Sequence, residues 1–230
     1  MGRNPAADNN EKGGAAVPVA GEVGKFCPHL VFDRVLGPQA VASLVDDVTA
    51  REALFKPATV RDRVVGGSEV DYSLRDCLRI QGAGPVHESL AQFISGISSQ
   101  AVARLQLKES IGAPRDFEIT GYRDGNRFGA HIDTDERLNM VRVMTCVYYF
   151  AATPRRFTGG ELRIWSLPTF SSGRSGAPPC FVDVDPESDR LVIFPSWLRH
   201  EVLPVHVPSG AWADGRFTVT CWIPRANLPQ

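Results

Sequence analysis

The chain has 230 residues, a formal net charge of −1 and 43% hydrophobic residues. This length suits one large domain that buries about 70% of its unfolded surface, and the balanced charge lacks the basic excess that nucleic-acid binding requires. No apolar run approaches the about 20 residues of a membrane span or forms the core of a signal peptide, and the five cysteines include no C-x-x-C pair. We therefore expect a cytoplasmic protein that binds neither membranes nor nucleic acid.

In chain order, residues 1–25 are rich in Gly, Ala, Asn and Pro without a hydrophobic period, which predicts a disordered tail before one domain spanning residues 26–230. A short strand is predicted in "FCPHLVFDRVL", followed by a helix with Pro38 in its first turn. A second helix is predicted because apolar residues recur at intervals of three and four. These residues are Leu90, Phe93, Ile94, Ile97, Ala101 and Leu105.

After Asp116 the sequence is organised in short β segments separated by turn residues. The segments "DFEITGY", "VRVMTCVYYF", "ELRIW", "FVDV", "RLVIF" and "RFTVTCWI" are rich in β-branched and aromatic residues. Two helices followed by many strands predict an α+β fold, with the helices packed on an antiparallel sandwich or barrel. The segment Ser166 to Cys180 is too long and too rich in Gly, Pro and Ser for a hairpin turn, and we predict a functional loop near the mouth of the site.

The stretch "GAHIDTDE" contains the pair His131 and Asp133, whose side chains would share one face of an extended segment. An isolated His-x-Asp is usually a solvated turn, so the metal interpretation needs a second histidine. Among the four others, His200 follows the apolar strand "DRLVIFPSWLR", which would deliver it to the rim of a barrel. Two histidines and one carboxylate form the facial triad of non-haem Fe(II) oxygenases. Asp135 and Glu136 are interpreted as a solvated edge.

The sequence resembles the Fe(II)/2-oxoglutarate-dependent dioxygenases, specifically their prolyl 4-hydroxylase-like branch. The resemblance covers roughly Phe26 to Pro224 and depends on four ordered pieces, "GYRDGNRFGAHIDTD", "VRVMTCVYYF", "FTGGELRIW" and "RLVIFPSWLRHEVLPV...GRFTVTCWIP". It implies a double-stranded β-helix, the jelly-roll or cupin-like barrel, supported by N-terminal helices. It also implies Fe(II), 2-oxoglutarate and O2 as cofactor and cosubstrates, with ascorbate as reductant.

Carried over to this chain, the resemblance implies that His131, Asp133 and His200 bind iron and are the catalytic residues. One face of the last predicted strand carries Arg216, Thr218, Thr220 and Trp222, which would bring Thr220 to the cosubstrate and Trp222 to a wall of its pocket. The resemblance further implies that Arg216, Tyr149 and Tyr122 bind the cosubstrate. A guanidinium suits this task because it offers two parallel donors to a carboxylate. The interval from His200 to Arg216 is longer than in the relatives that the sequence resembles.

The implied reaction is hydroxylation of an unactivated C–H bond, coupled to decarboxylation of 2-oxoglutarate to succinate and CO2. The substrate would be of prolyl or amino-acid type. The motifs specify the metal and cosubstrate only, so the substrate is either peptidyl or a small molecule.

Two alternatives belong to other functional classes. One is a barrel that binds a metal or small acid without turnover, as a sensor or interaction module. The other is a sugar-nucleotide transferase with Asp133-Thr134-Asp135 as its metal motif, which would need a preceding βαβ domain that the sequence lacks.

Overall fold

The computed structural model describes residues 27–61, 68–134, 141–166 and 180–226. The helices of this part are α1, Pro38–Ala50, and α2, His87–Arg104. The strands, in chain order, are β1 Leu30–Asp33, β2 Lys56–Pro57, β3 Val60–Arg61, β4 Ser68–Glu69, β5 Arg75–Asp76, β6 Leu78–Gln81, β7 Arg115–Tyr122, β8 Arg127–His131, β9 Arg142–Phe150, β10 Thr158–Gly159, β11 Leu162–Trp165, β12 Phe181–Val184, β13 Arg190–Pro195, β14 His200–Val202, β15 Val205–His206 and β16 Arg216–Pro224.

Two antiparallel sheets form the body of the domain. The larger has the order β1-β13-β9-β16-β7-β6-β2, and the smaller has the order β12-β11-β14-β8-β5. Side chains of the larger sheet, such as Tyr149 and Phe194, share a buried cluster with Leu162 and Ile164 of the smaller sheet. The sheets therefore face each other, and the predicted α+β double-stranded β-helix is confirmed.

Both helices cover the outer face of the larger sheet. Pro38 occupies the first turn of α1, where its missing N–H costs nothing, and Val41, Leu44 and Val48 form the buried stripe. The stripe predicted for α2 is buried at Leu90, Ile94, Ile97 and Ala101. Together they pack on outward-facing residues of the sheet in one large core cluster. This leaves the inner face of the sheet free to build a site.

Within the described residues, no helix combines the length and apolar character needed to cross a membrane.

Strands β2 and β6 also belong to the larger sheet, and they lie between the two helices along the chain, where no strand was predicted from the sequence. In β6, Leu78 and Ile80 pack towards the helical core, whereas Arg79 and Gln81 line a cavity between the sheets. A strand of only four residues, two of them polar, gives too short an alternation to be recognised from the sequence.

Several predictions concern residues outside the described part of the chain. The tail, residues 1–25, lies there, as do Asp135 and Glu136 and most of the loop from Ser166 to Cys180. The two ends of that loop are described: the Ser166 N–H donates to the Cys180 carbonyl at 2.8 Å. The tail, the domain limits and the role of the loop stay predictions.

Candidate metal centre

A cavity of about 420 Å³ opens between the two sheets. Its walls include alternate side chains of β7, β9 and β16 from the larger sheet and of β8 and β14 from the smaller one. Six of the seven predicted site residues line it, namely His131, Asp133, His200, Arg216, Tyr122 and Thr220. The seventh, Tyr149, is buried on β9 beside Arg216.

His131, Asp133 and His200 converge at one point of this cavity. The histidines are paired across β8 and β14, and their ring centroids lie 4.2 Å apart. Asp133 follows the end of β8, with Oδ1 at 3.5 Å from His131 Nε2 and Oδ2 at 3.6 Å from His200 Nε2. One ligand atom from each residue lies within 4.8 Å of the others.

Both imidazoles are fixed with Nε2 towards the cavity. His131 Nδ1 is 2.8 Å from the Gly129 carbonyl and His200 Nδ1 is 2.9 Å from the Leu198 carbonyl. A carbonyl only accepts, so each Nδ1 carries a hydrogen, and in a neutral ring the lone pair is then at Nε2. Burial, and next the proximity of His131, lowers the pKa of His200 to about 4. His200 is therefore neutral at pH 7, as a metal ligand must be.

The carboxylate of Asp133 is held from the larger sheet. Its Oδ2 accepts hydrogen bonds from Thr145 Oγ1 at 2.8 Å and from Trp222 Nε1 at 3.0 Å. Ser196 Oγ lies 2.9 Å from Thr145 Oγ1 and is the donor there, because the Thr145 proton points to Asp133. Burial alone would raise the pKa of Asp133, but His200, His131 and Trp222 outweigh it and hold that pKa well below its usual range.

This donor set fits a divalent iron ion. Two neutral imidazoles and one ionised carboxylate are its usual protein ligands in facial triads, and the separations suit donors placed about 2 Å from one ion. Asp133 Oδ2 is engaged by Thr145 and Trp222, so Oδ1 is the oxygen left for the metal. Partners that orient ligands in this way are typical of metal sites.

Arg216, on β16, is almost completely buried at 1% exposure. Its Nε donates to the Gly160 carbonyl at 2.8 Å, while Nη1 is buried without a partner among the described residues. The guanidinium carbon lies 4.7 Å from the ring centre of Tyr122 and 5.1 Å from that of Tyr149. A buried charge with an unused donor calls for an anionic ligand, and the cavity provides the space for one.

Among the described residues, the hydroxyl of Tyr149 is the second buried polar group without a partner at this end of the cavity. Burial raises the pKa of Tyr149 to about 12, so this hydroxyl is neutral and can donate. Thr218, Thr220 and Trp222 alternate with Arg216 along the same face of β16, as the sequence predicted. Trp222 differs from the prediction in one respect: besides lining the wall, it donates to Asp133.

Three residues that shape the site were not predicted from the sequence. Thr145 could have been found, because it alternates with Val147 and Tyr149 on one face of β9. Ser196 could not, since its link to Thr145 joins residues that are 51 positions apart. Gly160 lies in the quoted "FTGG", where a Cβ atom would come within 2.6 Å of Arg216 Cδ.

Comparisons with known proteins agree with this geometry. Residues 117–224 match the model of the 2OG-Fe(II) oxygenase superfamily. Over 108 residues the chain is 34% identical to an uncharacterized PKHD-type hydroxylase of Synechocystis sp., a match that covers 47% of this chain and 35% of that protein. The match thus spans about a third of that relative's length.

Solved structures share the fold over most of the chain. A prolyl-4-hydroxylase of Pseudomonas putida has a TM-score of 0.58 at 22% identity, covering 86% of this chain and 92% of that one. A prolyl hydroxylase of Trichoplax adhaerens, in complex with a hypoxia inducible factor peptide fragment, has a TM-score of 0.57 at 18% identity. The match covers 86% of this chain and 83% of that one. At these identities the likeness concerns the fold.

Proposed function

We propose that this chain, which belongs to the 2OG-Fe(II) oxygenase superfamily through residues 117–224, is an Fe(II)- and 2-oxoglutarate-dependent hydroxylase. One observation carries the proposal. The triad of His131, Asp133 and His200 opens onto the same cavity as Arg216, whose buried guanidinium has no partner at Nη1 in the part of the chain that the structure describes. A metal centre and an anion site therefore share one space between the sheets, as a chelating dicarboxylate would require.

In this proposal each side chain has a definite task. His131 Nε2, Asp133 Oδ1 and His200 Nε2 hold the ion, and Arg216 binds the distal carboxylate of 2-oxoglutarate with two parallel donors. Tyr149 supports the same carboxylate with its hydroxyl. Tyr122 and Thr220 line the remaining length of the cosubstrate, and Trp222 keeps Asp133 in place.

When bound, iron and 2-oxoglutarate supply the oxidation: O2 and 2-oxoglutarate yield succinate and CO2 while a C–H bond of the substrate becomes C–OH. The protein orients the cosubstrate between Arg216 and the triad and limits the access of water to a site enclosed by two sheets. Thr145 and Trp222 would hold the Asp133 carboxylate through Oδ2 and leave Oδ1 to the ion, while the neighbouring His200 and His131 keep the pKa of Asp133 low.

The proposed substrate is of prolyl or amino-acid type, as a peptide residue, a free amino acid or a natural-product intermediate. The fold shared with prolyl hydroxylases, one of them in complex with a peptide fragment, supports the first of these. Ascorbate as reductant and the cytoplasm as compartment belong to the same proposal. The five cysteines, all free, agree with a reducing compartment.

The test is stepwise addition of reactants to the purified protein. Fe(II) and 2-oxoglutarate are added without O2 and the weak visible metal-to-ligand absorption is recorded; O2 is then admitted and succinate is measured. Asp133→Ala and His200→Ala should lose both signals. His206→Ala is the matched control, because His206 is exposed and bonded to Asp124.

Two results would contradict the proposal. If the wild-type protein binds neither iron nor 2-oxoglutarate, the triad is not a metal site. If it binds both but forms no succinate with any amino-acid or peptide substrate, the barrel is a sensor or interaction module that does not turn over.

A further inference from the structure

The ring of Phe128 lies flat against the metal-binding imidazole of His131. Their ring centroids are 3.6 Å apart and the planes meet at 14°. In a regular strand, residues three apart point to opposite faces. Here the register between β8 and β14 shifts between the pairs His200–His131 and Val202–Phe128. This bulge brings both side chains to the same face, which is how bulges commonly re-aim residues next to active sites.

Arg75, on the neighbouring strand β5, lies over the ring of Phe128. It is paired with Phe128 across β5 and β8, and its guanidinium carbon lies 4.7 Å from the centre of the phenyl ring. A cation over an aromatic face is attracted by the ring quadrupole, more strongly where water is excluded. Only 13% of the Arg75 side chain is exposed.

The larger sheet holds Arg75 in this position. Arg75 Nη2 donates to Glu118 Oε1 at 2.7 Å, and Nη1 donates to the Thr59 carbonyl at 3.2 Å. Glu118 is buried on β7 and accepts a second bond, from Arg79 Nη1 at 3.3 Å. The contacts run from Glu118 through Arg75 and Phe128 to His131, so both sheets determine the direction of this imidazole.

His131 needs such support more than the other histidine does. Its side chain is 14% exposed at the end of a strand, whereas that of His200 is 5% exposed and packs on the edge of Phe194. Besides its tilted contact with the His200 ring, the hydrogen bond from Nδ1 to the Gly129 carbonyl is the other restraint on the ring before Phe128 is considered. A flat aromatic contact fixes the plane of the imidazole, and an aliphatic side chain of similar size cannot do this.

We propose that Phe128 and Arg75 are positioning residues that fix the imidazole plane of His131 and so set the affinity of the site for its metal. The inference rests on the proposed function, since it takes His131 as a metal ligand. Neither residue is one of the three candidate ligands. Phe128 acts through its ring contact with His131, and Arg75 acts through Phe128.

The experiment compares Phe128→Leu, Phe128→Tyr and Arg75→Met with the wild-type protein. Co(II) affinity is measured by titration of its visible absorption. The His131 Hε1 chemical shift is measured in the metal-free protein, where the stacked phenyl ring should move it upfield. Phe32→Leu is the matched control, because Phe32 is a buried phenyl in the separate helix-facing core.

We expect Phe128→Leu to weaken Co(II) binding by about 10- to 100-fold, as loss of other ligand-orienting partners does. Its His131 Hε1 signal should move downfield. Phe128→Tyr keeps a flat ring and should retain both properties, and Arg75→Met should fall between the two. Phe32→Leu should lower the melting temperature without changing Co(II) affinity.

The inference is overturned if Phe128→Leu shifts the His131 signal but binds Co(II) as tightly as the wild-type protein. It is also overturned if Phe128→Tyr is as impaired as Phe128→Leu, because the flat ring would then not be the relevant property. Absence of Co(II) binding by the wild-type protein would instead overturn the proposed function, and this inference with it. The two failures are therefore distinguishable.

Discussion

At the scale of single residues, Arg216 is informative to substitute because it is almost fully buried and its Nη1 has no partner within the described ranges. Arg216→Lys keeps the charge but loses the planar pair of donors. A hydrogen bond to a charged group is worth about 1.5–3 kcal/mol, so the KM for 2-oxoglutarate should rise about 10- to 100-fold. The measurement is succinate formation against 2-oxoglutarate concentration.

The control for this substitution is Arg190→Lys. Arg190 also makes a two-point pair with a carboxylate, that of Asp33, but does so on the edge pairing of β1 and β13 away from the cavity. The KM of the Arg190→Lys variant for 2-oxoglutarate should match the wild-type value. An unchanged KM in Arg216→Lys would assign the anion site to another residue.

Thr145 gives a second prediction at this scale. Thr145→Val keeps the shape of the side chain but removes the donor to Asp133 Oδ2, which then retains only the bond from Trp222. We expect the affinity for Fe(II) to fall about tenfold, since outer partners of metal ligands typically contribute 10- to 100-fold. Isothermal titration with Mn(II) as an air-stable substitute measures it.

Thr120→Val serves as the comparison for Thr145→Val. Thr120 is a buried threonine that lines the same cavity from β7. Equal losses of metal affinity in both variants would mean that any buried hydroxyl matters, and that the bond to Asp133 has no special role.

At the scale of elements, the turn between β10 and β11 determines the position of Arg216. Gly160 has a φ of 72°, and a Cβ atom there would lie 2.6 Å from Arg216 Cδ and 2.9 Å from Val205 Cγ2. Gly160→Ala should therefore displace the arginine and raise the KM for 2-oxoglutarate. Because alanine disfavours the left-handed backbone at this position, the substitution should also lower the free energy of unfolding by about 1–2 kcal/mol.

Gly210→Ala separates these two effects. Gly210 has a φ of 64°, but a Cβ atom there would meet nothing within 4 Å. It should lower the melting temperature through backbone strain while leaving the KM for 2-oxoglutarate unchanged. If both variants show the same KM, the contact with Arg216 does not control the cosubstrate site.

The elements also show what the sequence could predict. Long strands with strong alternation, such as β9 and β16, were predicted within a few residues, and the spacing on β16 predicted that Arg216 and Thr220 face one side. The bulge that turns Phe128 towards His131 could not be predicted, because it depends on the pairing of β8 with β14. A local pattern does not reveal the strand it will pair with.

At the scale of the whole molecule, the site exists only when both sheets are assembled. His131 and His200 come from the smaller sheet, whereas Arg216 and the donors to Asp133 come from the larger. The sequence predicted that these residues would form one candidate metal site, because His-x-Asp and the later histidine occur in recognisable motifs. It could not predict the bond from Trp222 to Asp133, since 89 positions separate the two residues and only the tertiary fold joins them.

This dependence on assembly leads to a prediction about stability. The unfolded chain does not hold His131, Asp133 and His200 together, so a divalent ion binds the folded state preferentially. At a free ion concentration of one hundred times Kd, the stabilisation is about 2.7 kcal/mol, or about 5–11 °C in melting temperature for a chain of this size. Thermal melts with and without Mn(II) measure the shift. His206→Ala should keep it and Asp133→Ala should lose it; an equal shift in Asp133→Ala would mean that the ion stabilises the protein from a site outside the triad.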